Sequence, residues 1–318
     1  MKRRNFLKNT LSRTAVLGAG LLAAESLIDV LGQNAPNSNN KLTAHNGSEK
    51  EKKKIKLGAS VMIFKPKELE IVAPYIKAAG YDGTTISLNT LIGNFNTPKW
   101  KEEVKRLNTI ASDNGLEFLI GGGGSAEPRH LFESAAALGV SILSAGPGGE
   151  PGDANSYQKG VDKLVAMARI AEEYKIHLVC KAHEGTSVAT TPELLRLIKD
   201  VNSPYFCADI DPYHIFLAHE TLPEAAKALV KYMKYAHIQD FNIDKEGKFA
   251  RSNPVDRACG RGTANISEYV KVLIDGGYEG PLMVEFYGNE LDLNTAIILA
   301  AEAHGYLNAC LKIYGGNK

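Results

Sequence analysis

The chain has 318 residues, of which 44% are hydrophobic and 23% charged, and its 37 basic and 36 acidic side chains leave a net charge of +1. This balance is typical of a globular protein and gives no support for a nucleic-acid partner, which would favour a basic surface. The length suits one (β/α)8 barrel of about 250 residues behind an N-terminal appendage.

Residues 1–33 have the features of an export signal. Residues 2–8 read KRRNFLK, with paired arginines, and residues 15–24 are apolar and rich in alanine and glycine. The pattern resembles a twin-arginine signal, and the apolar run is shorter than the ~20 residues that a membrane span needs. We therefore expect a periplasmic or otherwise exported protein with no stable membrane partner after cleavage. A basic helix that stays on the protein, or an uncleaved tether, is the alternative.

Residues 34–54 are polar and poor in apolar side chains, which predicts a disordered linker. From residue 55 to 318, short apolar runs alternate with segments of helical period, which is typical of a parallel sheet with crossover helices. The predicted strands are 56–62, 83–88, 117–120, 141–144, 177–183, 205–209, 235–238 and 282–286. The predicted helices are 66–80, 98–115, 129–139, 157–174, 191–201, 222–232, 265–277 and 293–311. Several helices end in glycine, as helices commonly do.

Eight such units predict a single-domain (β/α)8 TIM barrel. An open, doubly wound sheet would instead need a reversal of strand order, and usually a glycine-rich phosphate turn after the first strand, where this chain reads ASVMIFKPKE. The four glycines at 121–124 lack phosphate-loop spacing, and we expect a flexible loop at the barrel mouth there. The four cysteines are far apart in sequence, so we interpret them as buried hydrophobic residues, with a disulfide as the alternative.

Polar residues close the last four predicted strands, where the active sites of such barrels lie. Strand five ends in CKAHEG, strand six in ADIDPYH, strand seven in AHIQD and strand eight in VEFYGN. Two histidines and several carboxylates that converge from adjacent strands would suit a divalent cation, namely Mn, Mg, Co or Zn. Alternation along strand five places Lys181 and His183 on the same face.

These segments are similar to the xylose isomerase-like superfamily of sugar isomerases and epimerases. The Asp-x-x-His of strand six, the His-x-x-Asp of strand seven, and the Gly-x-Gly turn, helix and Glu of strand eight carry the resemblance. It implies Asp211, His237 and Glu285 as metal ligands. It also implies His214 as a substrate or ligand-shell residue and Arg261, in the Gly-x-Gly turn, as a substrate contact. We add Asp240, at the end of strand seven, as a candidate substrate contact.

The chain departs from the family pattern at two positions. Lys181 stands where the family's fifth strand supplies a metal-binding glutamate that also moves a proton, and Thr85 stands in place of a glutamate that often follows strand two. The exchange at 181 would weaken metal binding unless His183 or Glu184 takes over coordination. A lysine with a lowered pKa could act as a base or acid. The alternative is a lysine paired with Asp209 or Asp211 in a site without metal.

The leading hypothesis is a metal-dependent enzyme that acts on a sugar or keto-sugar through an enediolate, with Glu285, Lys181 and His214 as candidate catalytic residues. The metal candidates are His183, Asp211, His237 and Glu285. Reprotonation of the enediolate gives isomerisation or epimerisation, and loss of a β-substituent gives dehydratase or lyase chemistry. The sequence argues against the endonuclease branch of the superfamily, because strands three and four lack the histidines that it needs.

A non-catalytic sugar-binding barrel is the rival from another class. The expected partner is a small sugar, and a homo-oligomer is left open. Several aromatic residues near predicted strand ends could stack on a sugar ring or simply pack, namely Phe64, Phe95, Tyr213, Phe241 and Tyr287.

Overall fold

The structure is a computed structural model that describes residues 54–124, 127–243, 254–288 and 291–315. The predicted export signal, and the predicted linker apart from its last residue, lie outside these ranges and stay predictions. Within the described ranges, no helix is both long enough and apolar enough to cross a membrane.

Eight parallel strands form one sheet in the spatial order β6-β5-β4-β3-β2-β1-β8-β7. They are β1 (Leu57–Ala59), β2 (Gly83–Ser87), β3 (Glu117–Gly122), β4 (Ile142–Ser144), β5 (His177–Lys181), β6 (Phe206–Asp209), β7 (Ala236–Ile238) and β8 (Leu282–Val284). This cyclic order has no reversal, so the TIM barrel prediction is confirmed and the doubly wound alternative is wrong.

One local prediction about β3 is wrong. Gly121 and Gly122 belong to the strand rather than to a loop, because Gly121 pairs with Leu143 of β4 and Gly122 with Ser87 of β2. The backbone pairing on both sides extends the strand two residues beyond its predicted end. Its carboxyl end still lies at the mouth of the barrel.

The barrel closes between β6 and β7 without a regular ladder. The backbone N–H of His237 donates to the carbonyl of Ile210 at 3.1 Å, and Ala208 forms a bridge with Met233. The same N–H also lies 3.2 Å from Oδ1 of Asp209. A side chain therefore supplements the backbone at the closure, and this closure lies within the group of polar strand ends.

Ten helices accompany the strands in the described ranges. They are α1 (Leu69–Ala78), α2 (Asn89–Gly93), α3 (Pro98–Asp113), α4 (Pro128–Ala137), α5 (Ala154–Tyr174), α6 (Thr191–Val201), α7 (Pro212–Leu217), α8 (Leu222–Leu229), α9 (Ile266–Asp275) and α10 (Leu293–Tyr314). Eight match the predicted helices. Gly139 and Gly277, with φ of 68° and 77°, follow α4 and α9, as the glycine pattern predicts.

The helices α2 and α7 were not predicted, and both follow the carboxyl end of a strand. Asp211 starts α7, because its carboxylate accepts a hydrogen bond from the Tyr213 N–H at 3.2 Å and Pro212 takes the first helical position. The helix is six residues long, which is too short for a hydrophobic period to reveal it.

Two layers of apolar side chains form the core. The large layer lies between sheet and helices, and a smaller cluster of Leu119, Ile120, Ile142, Val179, Cys207, Tyr235 and Met283 fills the barrel interior. Gly58 makes room for this filling, because a Cβ there would lie 2.5 Å from Cε of Met283. All four cysteines are buried and free, which confirms their interpretation as buried hydrophobic residues.

Candidate active site at the barrel mouth

The candidate site is a direct consequence of strand alternation above the interior cluster. Successive residues of a strand face opposite sides, so the residue two positions after an inward-facing one also faces inward. Val179, Cys207, Tyr235 and Met283 fill the interior, and two positions later come Lys181, Asp209, His237 and Glu285. At the mouth of the barrel, each of these interior residues is therefore followed by a residue whose side chain can carry charge.

A cavity of about 490 Å³ opens over these strand ends. Its lining residues are Lys181, His183, Glu184, Asp211, Tyr213, His214, Gln239, Asp240, Pro254, Arg257, Glu285, Phe286 and Tyr287. Lys181 and His183 both line it while Ala182 between them is buried, which confirms the prediction that they share a face. All of the candidate catalytic, metal-binding and substrate-binding residues from the sequence analysis line this cavity, except His237 and Arg261.

Lys181 forms an ion pair with Asp211 at the centre of the site. Its Nζ lies 2.8 Å from Oδ2 of Asp211, while Gln239 donates from Nε2 to Oδ1 at 2.6 Å. The Asp211 side chain is 4% exposed and that of Lys181 is 25% exposed. Burial raises the pKa of Asp211, but Lys181, His237 and His214 outweigh it, and the net shift is downward. Asp211 is therefore an anion held by three donors, namely Lys181, Gln239 and the Tyr213 N–H.

The prediction of a lowered pKa for Lys181 is wrong. Burial does lower the pKa, but the carboxylates of Asp211, Asp209 and Glu285 outweigh it and raise it above the usual lysine value. Lys181 is therefore a protonated ammonium group near neutral pH. In this state it can donate hydrogen bonds to a bound molecule and stabilise negative charge on it. It does not act as a free amine base while it is protonated.

His237 lies between two carboxylates from the neighbouring strand ends. Its Nδ1 is 2.6 Å from Oδ2 of Asp209, and its Nε2 is 3.3 Å from Oε1 of Glu285. Burial and Lys181 lower the pKa of His237, while Asp209 and Glu285 raise it, and the net value is about 10. An imidazolium that donates to both carboxylates fits this geometry.

Glu285 presents the carboxylate that is open to the cavity. Its side chain is 26% exposed, whereas that of His237 is 8% exposed. Burial raises the pKa of Glu285, but His237, Lys181 and the Ser60 hydroxyl lower it to about 2. Ser60 also lies 3.2 Å from the hydroxyl of Thr85, the position where the family pattern has a glutamate. Thr85 therefore reaches Glu285 only through Ser60.

Two histidines of the cavity lining contact each other through tilted rings, and Nε2 of His214 lies 3.7 Å from Oδ2 of Asp211. The rings of His183 and His214 have centroids 3.9 Å apart, and Nδ1 of His183 lies 2.7 Å from the carbonyl of Glu184. Burial is the main cause that lowers the pKa of His214 to about 4. Its Nδ1 is buried without a hydrogen-bond partner among the described residues. His214 is therefore neutral near neutral pH and could accept a proton.

The candidate substrate contacts Asp240 and Arg261 have other partners. The carboxylate of Asp240 accepts hydrogen bonds from the N–H groups of Phe241, Gly260 and Ala264 at 2.9, 3.0 and 2.9 Å, and the residue is 1% exposed. Arg261 forms an ion pair with Glu302 of α10 at 2.8 Å, on the surface. Asp240 thus holds the turn that carries Arg261, and the structure does not bring Arg261 to the cavity.

We expect Asp240→Ala to lower the free energy of unfolding by ~3 kcal/mol, because three backbone N–H groups lose a charged acceptor. Arg261→Ala, which removes an exposed ion pair in the same turn, should cost ~1 kcal/mol or less. Urea unfolding followed by circular dichroism measures both. An Asp240→Ala protein with wild-type stability but weakened sugar binding would instead identify Asp240 as a substrate contact.

The structure adds cavity residues that were absent from the predicted set. Gln239 lies two positions after His237, so alternation along β7 could have identified it. Arg257, whose Nη1 donates to the carbonyl of Tyr287 at 3.2 Å, has no motif around it. Ser60, which follows β1, is buried outside this lining, and only the fold shows that it contacts Glu285. Arg257 therefore adds a positive charge to the cavity that the sequence motifs do not indicate.

The predicted metal ligands do not fit a divalent ion in this arrangement. Lys181 occupies one oxygen of Asp211 and Gln239 the other, and both ring nitrogens of His237 point at carboxylates. His183 contacts the His214 ring, and its Nδ1 lies 2.7 Å from the carbonyl of Glu184. Within the described ranges, no group of three or more His, Cys, Asp or Glu side chains is arranged to hold a metal ion.

Comparisons with known proteins agree with the barrel architecture. A sequence profile of the xylose isomerase-like TIM barrel family matches residues 73–306. Over 138 residues the chain is 31% identical to an inosose dehydratase of Clostridium perfringens, a match that covers 40% of this chain and 45% of the relative. The chain thus aligns with less than half of the length of that curated relative.

Two solved structures illustrate the match to this fold. D-psicose 3-epimerase with D-tagatose, from Clostridium cellulolyticum H10, matches with a TM-score of 0.66 and 16% identity over 81% of this chain and 99% of that chain. A structure described as IOLI protein with a binding zinc atom matches with a TM-score of 0.64 and 19% identity over 82% of this chain and 99% of that chain. At these identities the likeness supports the fold.

Proposed function

The chain belongs to the xylose isomerase-like TIM barrel family, and on that premise we propose that it is an enzyme that acts on a sugar or keto-sugar by proton transfer beside a carbonyl group. One observation carries the proposal. An anionic carboxylate, Glu285, faces the cavity while an imidazolium, His237, holds its other side. A carboxylate held at a fixed place on a cavity wall can act as a general base when a substrate carbon lies within its reach.

In this proposal Glu285 takes the proton from the carbon next to the substrate carbonyl. The C–H bond breaks, its electrons form the C=C bond of an enediolate, and the carbonyl oxygen gains the negative charge. Asp209 and His237 hold Glu285 in place from below, since Asp209 binds Nδ1 of His237 and Glu285 binds Nε2. His214, which lines the same cavity, is the proposed second proton-transfer residue.

The enediolate has two outcomes, and both stay open. Return of a proton to carbon on the other face, or to the neighbouring carbon, gives epimerisation or isomerisation. Loss of a β-hydroxyl group, which leaves as water after it accepts a proton, gives dehydration. The second-strand glutamate is replaced by Thr85 and the fifth-strand glutamate by Lys181, which supports dehydration, as does the partial match to an inosose dehydratase.

A divalent Mn, Mg, Co or Zn ion, which the family resemblance implies, would stabilise the enediolate as a Lewis acid. The relative described with bound zinc supports that chemistry for the family. Because Lys181 already binds Asp211 in this chain, we assign no step of the reaction to a metal.

The proposed substrate is an unphosphorylated sugar. No phosphate-binding motif follows the strands, and the paired arginines at the N-terminus favour export, which we keep as a proposal. Tyr287 is 58% exposed at the cavity and can stack on a sugar ring. A non-catalytic sugar-binding barrel is the rival, since the same cavity could hold a sugar without proton transfer.

A panel of keto-sugars and keto-inositols incubated with purified protein tests the proposal. Mass spectrometry separates the outcomes, because epimerisation and isomerisation conserve mass while dehydration removes one water. We expect one of these products from at least one compound. Saturable binding across the panel with no new product would favour the sugar-binding barrel.

A further inference from the structure

The ammonium group of Lys181 lies among three carboxylates at the strand ends. Its Nζ is 2.8 Å from Asp211, and Asp209 and Glu285 act on it as further negative charges. Asp211, His237 and Glu285, which project from β6, β7 and β8, surround the same region. A positive charge at this point balances the anions that the other strand ends supply.

The contacts of Lys181 are those of a cation in a binding site rather than of a surface ion pair. The Asp211 side chain is 4% exposed, so water stabilises its charge little, whereas that of Lys181 is 25% exposed, and both residues line the cavity. The ammonium has three hydrogens, and Asp211 takes one of them. The lysine can therefore donate to an oxygen of a molecule in the cavity while it keeps its ion pair.

A divalent ion at the same place would meet this ammonium at close range. Like charges repel strongly in a low-dielectric site, and the ion would also lose Asp211 as a free ligand. Asp211 Oδ1 is taken as well, by Gln239 at 2.6 Å. The residues that resemble metal ligands are thus arranged around a cation that the chain itself provides.

We propose that the Lys181 ammonium replaces the divalent cation in this barrel, so that the site works without metal and the lysine holds the substrate oxygen on which negative charge develops. The role of Lys181 toward the substrate oxygen rests on the proposed function, whereas the replacement of the metal does not. Metal affinity is measured without substrate, so the two can fail separately.

Equilibrium dialysis with Mn²⁺ and elemental analysis test the replacement on the purified protein. We expect no stoichiometric Mn²⁺ in the wild type and about one ion in Lys181→Glu, with affinity raised by at least ~100-fold, since a repelling charge becomes a ligand. Lys227→Glu, the same exchange at an exposed position on α8, should bind like the wild type.

Thermal unfolding shows whether the Lys181→Glu variant is folded and gives a second measure of Mn²⁺ binding. Mn²⁺ should raise the Tm of Lys181→Glu and leave the Tm of the wild type and of Lys227→Glu unchanged. A wild type that binds one Mn²⁺ and loses it in Glu285→Gln would overturn the replacement. A folded Lys181→Glu that gains no Mn²⁺ affinity would overturn it as well.

Discussion

Replacing Glu285 by glutamine should lower turnover of the responsive keto-sugar by ~10²–10⁴-fold, the usual contribution of a positioned acid or base. The amide keeps the size of the side chain but cannot accept the proton from carbon. It also loses the charged contact with Nε2 of His237, which lies 3.3 Å from Oε1 in the wild type. Initial rates on the keto-sugar identified in the panel measure the effect.

The matched control is Glu302→Gln, the same exchange at a surface carboxylate that pairs with Arg261. We expect a rate within twofold of the wild type, because the residue does not line the cavity. Equal rates in Glu285→Gln and the wild type would remove Glu285 from the chemistry. The proposal would then need another base, with His214 as the next candidate.

Replacing Lys181 by methionine should lower the free energy of unfolding by ~3 kcal/mol, because Asp211 keeps its charge in a buried place without its cation. Asp211 is 4% exposed, so water compensates its charge only in part when the ammonium is removed. The hydrogen bonds from Gln239 and from the Tyr213 N–H remain and limit the loss. Urea unfolding of the wild type and the variant measures the difference.

The double variant Lys181→Met/Asp211→Asn separates the ion pair from packing. Asparagine removes the unpaired charge and still caps α7 through its side-chain oxygen. We expect the double variant to recover most of the stability lost in Lys181→Met. A double variant no more stable than Lys181→Met would show that the unpaired charge of Asp211 is not the cause of the lost stability.

The sequence predicts the barrel and the grouping of most candidate residues around one cavity at its mouth, because both follow from short-range patterns. Alternation and turn residues place the eight strands, and the rule that sites lie at the carboxyl ends of barrel strands selects Lys181, Asp211, His237 and Glu285. The two short helices α2 and α7 were not predicted, since a helix of fewer than two turns shows no hydrophobic periodicity in the sequence.

The partners of the site residues were not predictable, because they are long-range contacts. The lysine lies 30 positions before Asp211 in sequence, and the sequence analysis left it open between a base with a lowered pKa and an ion pair. In the structure Lys181 forms the ion pair, and the nearby carboxylates raise its pKa, opposite to the predicted direction.

The turn at residues 258–264 shows the same limit. Its Gly-x-Gly spacing suggests a substrate contact for Arg261, but the backbone needs Asp240 as a common acceptor. A Cβ at Gly262 would collide with the Asp240 carboxylate. The glycine therefore allows the turn to pack closely against that carboxylate. The turn therefore points Arg261 outward, to Glu302.

Exchange of carbon-bound hydrogen with solvent tests the central claim most directly, since epimerisation, isomerisation and dehydration all begin with the same proton transfer. The panel compounds are incubated in D₂O with the wild type or with Glu285→Gln and followed by proton NMR. The account predicts deuterium at the carbon beside the carbonyl, formed by the wild type and nearly absent with Glu285→Gln. A compound that binds the wild type in this cavity yet shows no exchange would contradict it and make the barrel a sugar-binding protein.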